Sequence, residues 1–170
     1  SLKVLNLTWN KLTSLPEDFG RLASLYRLDL YGGNALTRLP EGIGGLTSLV
    51  ELNLESHNLT SLPAGIGGLT SLKKLDLRRN ELTGLPKEVG GLTNLQKLYL
   101  NDNPLTDTGL PVEIGQLSML RKISLNNTEL TRLPEWLSQL TSLQKLWVTS
   151  KQLKNDPEVL KDLKSRGVKV

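Results

Sequence analysis

The chain has 170 residues, of which 38% are hydrophobic and 22% charged, a composition that fits one folded domain rather than a disordered segment. It has no cysteine and a single histidine, His57, which excludes disulfides, thiolate chemistry and zinc sites built from cysteines or several histidines. The formal net charge of +4 permits an acidic partner but falls short of the charge expected of a dedicated nucleic-acid binder, which argues against nucleic acid. No apolar run is long enough to predict a transmembrane segment.

The pattern Leu-x-x-Leu-x-Leu recurs seven times from the first residues onward, with Ile or Val in a few of the leucine positions. The units begin at residues 2, 25, 49, 72, 95, 120 and 143, so the steps are 23, 24, 23, 23, 25 and 23 residues. The alternation in Leu-x-Leu predicts a short strand with one buried face. Because the gap between equivalent strands is far too long for a hairpin, we expect successive strands to lie parallel.

Each unit continues with the same polar and turn-forming residues. An asparagine follows the last leucine of the triplet by three places, as at Asn10, Asn80 and Asn103, and by four places at Asn34. Leu-Pro and then an aliphatic residue with glycine come next, as in Val89-Gly90. We expect the proline to turn the chain on the outer wall and the glycine to allow tight or left-handed geometry where the chain bends back.

Taken together, these positions resemble the leucine-rich repeat proteins, in particular the 23-residue class LxxLxLxxNxLxxLPxxIGxLxx of Ras-suppressor-like, plant intracellular Ras-group and bacterial proteins. The resemblance covers residues 2–153 and implies one domain over 1–170 with an α/β solenoid fold. A curved array would then have a concave parallel sheet of about seven or eight short strands and a convex side of turns, 3-10 and short helices. The resemblance also implies a hydrogen-bonded asparagine ladder, with His57, Thr128 and Lys151 in three of its positions.

The two ends of the chain differ. Asp156-Pro157 is a typical helix start, and Val168 and Val170 recur at the strand spacing, so we predict a helix–strand cap over 156–170 with an eighth strand. The first unit has no polar cap before it. We therefore expect either a fragment of a longer chain or an end that a partner covers, and self-association through this edge is open.

Residues that could support catalysis do not form a recognisable set. Carboxylates do not recur as pairs, no phosphate-binding loop is present, and His57 occupies a ladder position where its imidazole can replace an amide. We therefore predict no enzyme activity and no catalytic, cofactor-binding or metal-binding residue. Extra residues at Gly32-Gly33 and at 106–109 are interpreted either as neutral insertions or as a contact lip.

A column of cations is predicted on the outward face of the strands. The residue before the second leucine is a lysine in four consecutive units, and these side chains should stack about 5 Å apart. The column includes Lys74, Lys97, Lys122 and Lys145, and Arg78 and Arg79 extend it. It is either a solvated face that keeps the sheet soluble or an electropositive stripe that attracts an acidic segment of a protein partner.

Most aromatic residues also fall on positions that the family resemblance places on the concave face. They are Trp9, Tyr26, Tyr31, Tyr99 and Trp147. Aromatic residues and arginine are the types that most often anchor protein interfaces. The predicted site therefore combines these aromatic residues with the cation column.

The function predicted from these residues is a non-catalytic scaffold for protein–protein interaction that binds its partner on the concave face. One alternative is the recognition segment of a larger signalling enzyme such as a kinase, GTPase or ubiquitin ligase. A polyanion-binding surface is a further alternative, against which Glu51, Glu55 and Asp76 on the same face count. Because the chain lacks cysteines and shows no signal peptide, we predict a cytoplasmic location.

Overall fold

A computed structural model describes residues 2–33, 35–149 and 157–170. Its sheet has seven parallel strands in sequence order, each paired with the strand of the next repeat. The strands are β1 (Val4–Asn6), β2 (Arg27–Asp29), β3 (Glu51–Asn53), β4 (Lys74–Asp76), β5 (Lys97–Tyr99), β6 (Lys122–Ser124) and β7 (Lys145–Trp147). The predicted leucine-rich repeat architecture, with parallel strands on one side and 3-10 turns on the other, is confirmed.

The strands pair in the register that the leucine pattern predicts. The central apolar residue of each strand faces its equivalent in the neighbouring strand, as Leu52 pairs with Leu75 and Leu98 with Ile123. From β2 to β7 these side chains are at most 1% exposed. A single stack of leucines with one isoleucine, Ile123, therefore runs from β2 to β7 and contributes its burial to the larger core of the solenoid.

The convex side consists of six short 3-10 helices, each introduced by a proline. They are η1 (Glu17–Arg21), η2 (Glu41–Gly45), η3 (Ala64–Gly68), η4 (Lys87–Gly91), η5 (Val112–Gln116) and η6 (Glu135–Gln139). The preceding proline is extended, with φ −70° and ψ 151° at Pro40, and its carbonyl accepts a hydrogen bond from the amide of Ile43 at 3.1 Å. Proline therefore both ends the extended segment and starts the 3-10 turn.

The glycines of the convex side allow neighbouring 3-10 helices to approach closely. A Cβ atom added to Gly42 would lie 2.0 Å from the carbonyl oxygen of Glu17 in the previous repeat, and one added to Gly20 would lie 1.9 Å from the carbonyl oxygen of Gly42. No side chain fits at such a distance. At these positions the glycine is required for close backbone packing, which corresponds to the tight geometry that the sequence predicted.

The ladder asparagines link each repeat to the one before it. The Asn80 amide donates to the carbonyls of Leu54 and Leu77 at 2.8 and 3.0 Å and accepts from the amide of Leu59 at 3.1 Å. Asn103 makes the same three contacts one repeat further on. These buried amides satisfy backbone groups that the short strands leave unpaired.

Other residues occupy the ladder where asparagine is missing. His57 is buried in this row, and the Thr128 hydroxyl donates to the carbonyl of Leu125 at 3.0 Å. Asn34 and Lys151, two further ladder positions, lie outside the described residues.

The C-terminal segment contains a helix, α1 (Pro157–Ser165), that packs on η6 through the buried Leu163. The predicted eighth strand is reduced to a single parallel bridge, in which Lys169 pairs with Lys145. The predicted N-cap Asp156 lies outside the described residues.

The leucines of the N-terminal strand, β1, are less buried than those of the strands that follow it. Val4 in β1 is 56% exposed, and Leu5 and Leu7 are half-buried, whereas the equivalent leucines of β2 are fully buried. Leu5 and Leu7 are only half-buried because, among the described residues, a neighbouring repeat packs on one side of them and not on the other.

The two insertions have defined structures. Gly32 and Gly33 both adopt left-handed backbone angles and pass within contact distance of Trp9. In the longer insertion, the Asp107 carboxylate accepts hydrogen bonds from the amide of Thr131 at 2.8 Å and from its hydroxyl. The second insertion is therefore fastened to the following repeat.

Candidate interaction site on the concave face

The outward side chains of the strands form the concave face, and four lysines lie in one column on it. Direct pairing of β4 with β5, β5 with β6 and β6 with β7 puts Lys74, Lys97, Lys122 and Lys145 opposite one another. All four are half-buried. The predicted column of cations is therefore present as a geometric feature of the sheet.

Tyr99 and Trp147 approach each other across the strand that separates them. Their ring centroids are 6.3 Å apart with an interplanar angle of 51°. Ser124 lies between them in β6 and is only 5% exposed, so its short side chain lets the two rings lean toward each other over it. The Ser124 hydroxyl donates to Oδ1 of Asn101 at 2.7 Å.

This arrangement forms a shallow pocket of about 250 Å³ on the sheet. It is lined by Arg78, Tyr99, Asn101, Ser124, Asn126 and Trp147. Two aromatic walls and a floor of hydroxyl and amide groups can receive one apolar or aromatic side chain and hydrogen-bond its backbone. We call this pocket the aromatic slot.

Cations border the aromatic slot on two sides. The Lys145 ammonium lies 4.4 Å from the centroid of the Trp147 indole. On the other side, Lys74 and Arg78 lie 5.8 and 5.6 Å from the centroid of the Tyr99 ring. Such contacts hold the aromatic rings and fix their orientation on an exposed sheet.

Arg78, which the sequence assigned to the cation column, is not a free cation but is paired with two carboxylates. Its Nε and Nη2 atoms each lie 2.7 Å from an oxygen of Asp76, and Nη2 lies 2.7 Å from Oε2 of Glu55. The sequence placed Asp76 on the exposed face, but it is 0% exposed because Arg78 covers it. The prediction that Asp76 is solvent-exposed is therefore wrong: a bidentate ion pair buries a carboxylate that strand alternation points outward.

The pKa values of this cluster reflect its burial and pairing. Burial raises the pKa of Glu55 above its usual value, against the opposing effect of Arg78. The hydrogen bonds to Asp76 raise the pKa of Arg78, which stays charged at every relevant pH. Burial is also the main cause of a raised pKa at Tyr99, so its hydroxyl is neutral and can donate a hydrogen bond.

A second aromatic cluster lies at the N-terminal end of the sheet. The rings of Trp9 and Tyr31 meet edge to face, with centroids 5.5 Å apart and an interplanar angle of 82°. Trp9 is 72% exposed and Tyr26 is 51% exposed. The five predicted aromatic residues therefore fall into two groups, because β3 and β4 carry no aromatic residue between them.

The remaining predicted residue, Arg79, lies beyond the strands. It adopts a left-handed backbone with φ 55°, and its guanidinium lies 4.0 Å from the Asp102 carboxylate. Sequence reasoning missed Lys169, which continues the lysine column, and Asn126, which lines the aromatic slot. Extending the column to the residue between Val168 and Val170 identifies Lys169 from sequence alone.

In residues 2–33, 35–149 and 157–170, no three His, Cys, Asp or Glu side chains are grouped so that they could hold a metal ion. No helix in the same ranges has the length and apolar character needed to cross a membrane.

The fold and the site define a repeat solenoid that presents a polar, aromatic-bearing parallel sheet. A family model for the leucine-rich repeat region matches residues 1–101 and 72–165, and the chain belongs to this family. A search among curated proteins gave no significant match.

Solved structures support the same assignment. A leucine-rich repeat protein of Leptospira interrogans is 36% identical with a TM-score of 0.70, and the match covers 94% of this chain and 47% of that protein. The ectodomain of the membrane receptor kinase GASSHO1 from Arabidopsis thaliana, in complex with CASPARIAN STRIP INTEGRITY FACTOR 2, is 35% identical with a TM-score of 0.71. That match covers 86% of this chain and 18% of the ectodomain.

A third similar structure is a plant peptide hormone receptor, RGFR1, in complex with RGF2. It is 31% identical with a TM-score of 0.73, over 86% of this chain and 24% of the receptor. The chain thus spans less than half the length of each of these three proteins.

Proposed function

We propose that this chain is a non-catalytic protein-binding module whose partner docks on the concave face and inserts a side chain into the aromatic slot. The observation that carries the proposal is the shallow pocket of about 250 Å³ that the Tyr99 and Trp147 rings line on the concave face. Two large aromatic rings remain half-buried on an outward sheet face, where they contribute nothing to the leucine core. Aromatic residues in such positions are the usual energetic centre of an interface.

The similar structures support the proposal by analogy. One is a membrane receptor kinase ectodomain in complex with CASPARIAN STRIP INTEGRITY FACTOR 2, and another is a plant peptide hormone receptor in complex with RGF2. A common fold does not transfer a partner, so the site residues of this chain must carry the argument. The Trp9–Tyr31 pair offers a further anchor for a partner that spans the sheet.

The experiment is affinity capture from a lysate of the source cells with three baits. They are the native chain, the variant Tyr99→Ala/Trp147→Ala, and a control, Lys87→Ala/Val112→Ala, whose two residues are exposed on the convex side. We expect the first and third baits to retain the same protein and the second to lose it. Circular dichroism must show that all three are folded. Equal recovery by all three baits would contradict the proposal.

A second candidate is that the chain is the recognition segment of a larger signalling enzyme. The supporting observation is that one similar structure is the ectodomain of a membrane receptor kinase, of which the match covers 18%. The full reading frame around the coding sequence tests this, because a catalytic domain must lie outside these 170 residues.

Location and self-association are proposals as well. A cysteine-free chain suits the reducing cytoplasm, and fractionation of source cells with an antibody to this chain tests the location. Val4 in β1, the edge strand among the described residues, is exposed in the outward column of the concave face and offers an apolar contact for a second copy. Sedimentation velocity over a range of concentrations tests for a dimer, which Val4→Lys should abolish.

A further inference from the structure

The cations on β2 and β4, together with Arg78 just after β4, are neutralised within the protein. Each has a carboxylate within 4.0 Å on its own strand, a neighbouring strand or the adjoining loop. The pairs are Arg27 with Asp29 and Glu51, Lys74 with Asp76, and Arg78 with Asp76 and Glu55. This half of the concave face therefore has little net charge to offer a partner.

The cations that follow are not neutralised in this way. Lys97, Lys122 and Lys145 are direct neighbours in β5, β6 and β7, and Lys169 pairs with Lys145 beyond β7. Within the part of the chain that the structure describes, no carboxylate lies within ion-pair distance of these four lysines. We call them the lysine ladder.

The lysine ladder places like charges at close range. Strands lie about 4.8 Å apart, so four rungs span roughly 14 Å. Like charges directly opposite one another are destabilising in a sheet. A ligand with carboxylates at matching positions removes this repulsion when it binds, and that relief adds to its affinity.

The lysine ladder and the aromatic slot form one continuous surface. Tyr99 and Trp147 each follow a ladder lysine by two residues on the same strand, which is about 6.6 Å along the strand direction. Lys145 touches both features, since its ammonium lies 4.4 Å from the Trp147 ring. A ligand that follows the ladder therefore passes beside the slot.

We propose that the concave face binds an extended acidic segment of a protein, running across β5, β6 and β7, with acidic and apolar residues in alternation. Alternate residues of an extended chain lie about 6.6 Å apart, so three carboxylates on alternate residues span about 13 Å. This length is close to the roughly 14 Å that the lysine ladder spans. Intervening residues project to the other side, where an aromatic or large aliphatic side chain enters the aromatic slot. The inference rests on the proposed function and specifies its partner.

The probe is a phage-displayed library of random 12-residue peptides, panned on the native chain. We expect enrichment of peptides with aspartate or glutamate at every second position and an aromatic or large aliphatic residue between them. Acids spaced three and four apart, which indicate a helical ligand, or no acidic enrichment would overturn the inference. If panning enriches no peptide at all, that result also overturns the inference.

Binding of the enriched peptide is then measured by fluorescence anisotropy on matched variants. Lys97→Gln/Lys122→Gln/Lys145→Gln removes three ladder charges, and Lys3→Gln/Lys11→Gln/Lys87→Gln removes three exposed lysines elsewhere. We expect the ladder variant to bind at least about tenfold more weakly and the control to bind within about twofold of the native chain. The salt dependence of binding should also flatten in the ladder variant alone.

Further variants separate failure of this inference from failure of the proposed function. If the peptide does not bind Tyr99→Ala/Trp147→Ala but binds the ladder variant normally, the result supports docking on the concave face and overturns the acidic segment. A peptide that binds both variants normally contradicts both. The last probe is a single-stranded oligonucleotide of 15 bases. If it binds the native chain more tightly than the peptide does, and if this binding is weakened in the ladder variant, the ligand is a polyanion and the protein ligand is overturned.

Discussion

The guanidinium of Arg78 binds both carboxylate oxygens of Asp76, with each of its two N–O distances at 2.7 Å. The same guanidinium reaches Glu55 in the previous repeat, so the most obvious cation beside Tyr99 is already occupied. Recognition of acidic groups therefore shifts to the last three strands, where the lysines have no carboxylate beside them in the described ranges. Arg78 instead serves to hold the edge of the aromatic slot.

Enlarging the residue beneath the aromatic rings should abolish partner binding without unfolding the chain. Ser124 is only 5% exposed under Tyr99 and Trp147, so Ser124→Trp must displace both rings and disrupt the aromatic slot, in a column where tyrosine and tryptophan already occur. We expect partner affinity to fall at least about a hundredfold, as expected when a central hot spot is blocked. Calorimetric titration with the captured partner measures this loss.

The matched control at the same position is Ser124→Ala. It removes the 2.7 Å hydrogen bond to Asn101 but leaves the slot open. We expect binding within a few-fold of the native chain and a loss of about 1 kcal/mol in the free energy of unfolding. Equal binding losses in the two variants would show that the slot is not where the partner enters.

The asparagine ladder should be most important where it is buried. Asn80→Ala leaves the carbonyls of Leu54 and Leu77 and the amide of Leu59 without their side-chain partner. We expect the free energy of unfolding to fall by about 2–4 kcal/mol, because buried unsatisfied groups retain their full desolvation cost. Asn10→Ala, in the exposed first unit, should lose under about 1 kcal/mol. Urea unfolding of both variants checks this, and equal losses would contradict it.

Close packing of the convex side should make Gly42 intolerant of substitution. The Cβ of Gly42→Ala would lie 2.0 Å from the carbonyl oxygen of Glu17, so η1 and η2 must separate. We expect a loss of about 1–3 kcal/mol. At Gly91, the last residue of η4, an added Cβ would lie 3.0 Å from its nearest neighbour, the carbonyl oxygen of Gly67, and Gly91→Ala should therefore cost less. Thermal unfolding monitored by circular dichroism compares the two variants, and a larger loss at Gly91 would refute this explanation.

The raised pKa of Glu55 makes its contribution to stability depend on pH in a defined direction. The folded protein binds a proton at Glu55 more tightly than the unfolded chain, whose value is near 4.5. The resulting stabilisation is fully present below about 4.5 and is lost as pH rises through the folded pKa. The stability of the native chain relative to Glu55→Gln should thus decrease between pH 4.5 and pH 7.

Urea unfolding of both chains at several pH values measures that difference. A difference that stays constant, or that grows as pH rises, would mean that pairing with Arg78 outweighs burial at Glu55.

Most of the fold could be predicted because one pattern is repeated seven times. Each Leu-x-Leu fixes which residues are buried, and the near-constant period fixes the register of Lys97 against Lys122 and Lys145. The placement of Tyr99 and Trp147 in one outward column follows from the same register. Their close approach could be anticipated only by noting that the intervening residue, Ser124, is small.

Contacts between long side chains were beyond what the sequence could specify. The burial of Asp76 depends on the rotamer of Arg78 and on Glu55, which is 23 residues away from Arg78 and adjacent to it only in the folded sheet. Strand alternation assigns a face to a residue but not the exposure of its side chain. The same limit applies to the predicted final strand, because the spacing of Val168 and Val170 did not specify that a single bridge, Lys169 with Lys145, would form there.

The most direct test of the account is photo-crosslinking from defined positions in a lysate of the source cells. A benzophenone-bearing residue replaces Lys122 on the concave face in one chain and Val112, which is 69% exposed on the convex side, in another. The account predicts that a partner is crosslinked from position 122, and that Ser124→Trp in the same chain abolishes the product. Crosslinking of that partner from position 112 alone would contradict it.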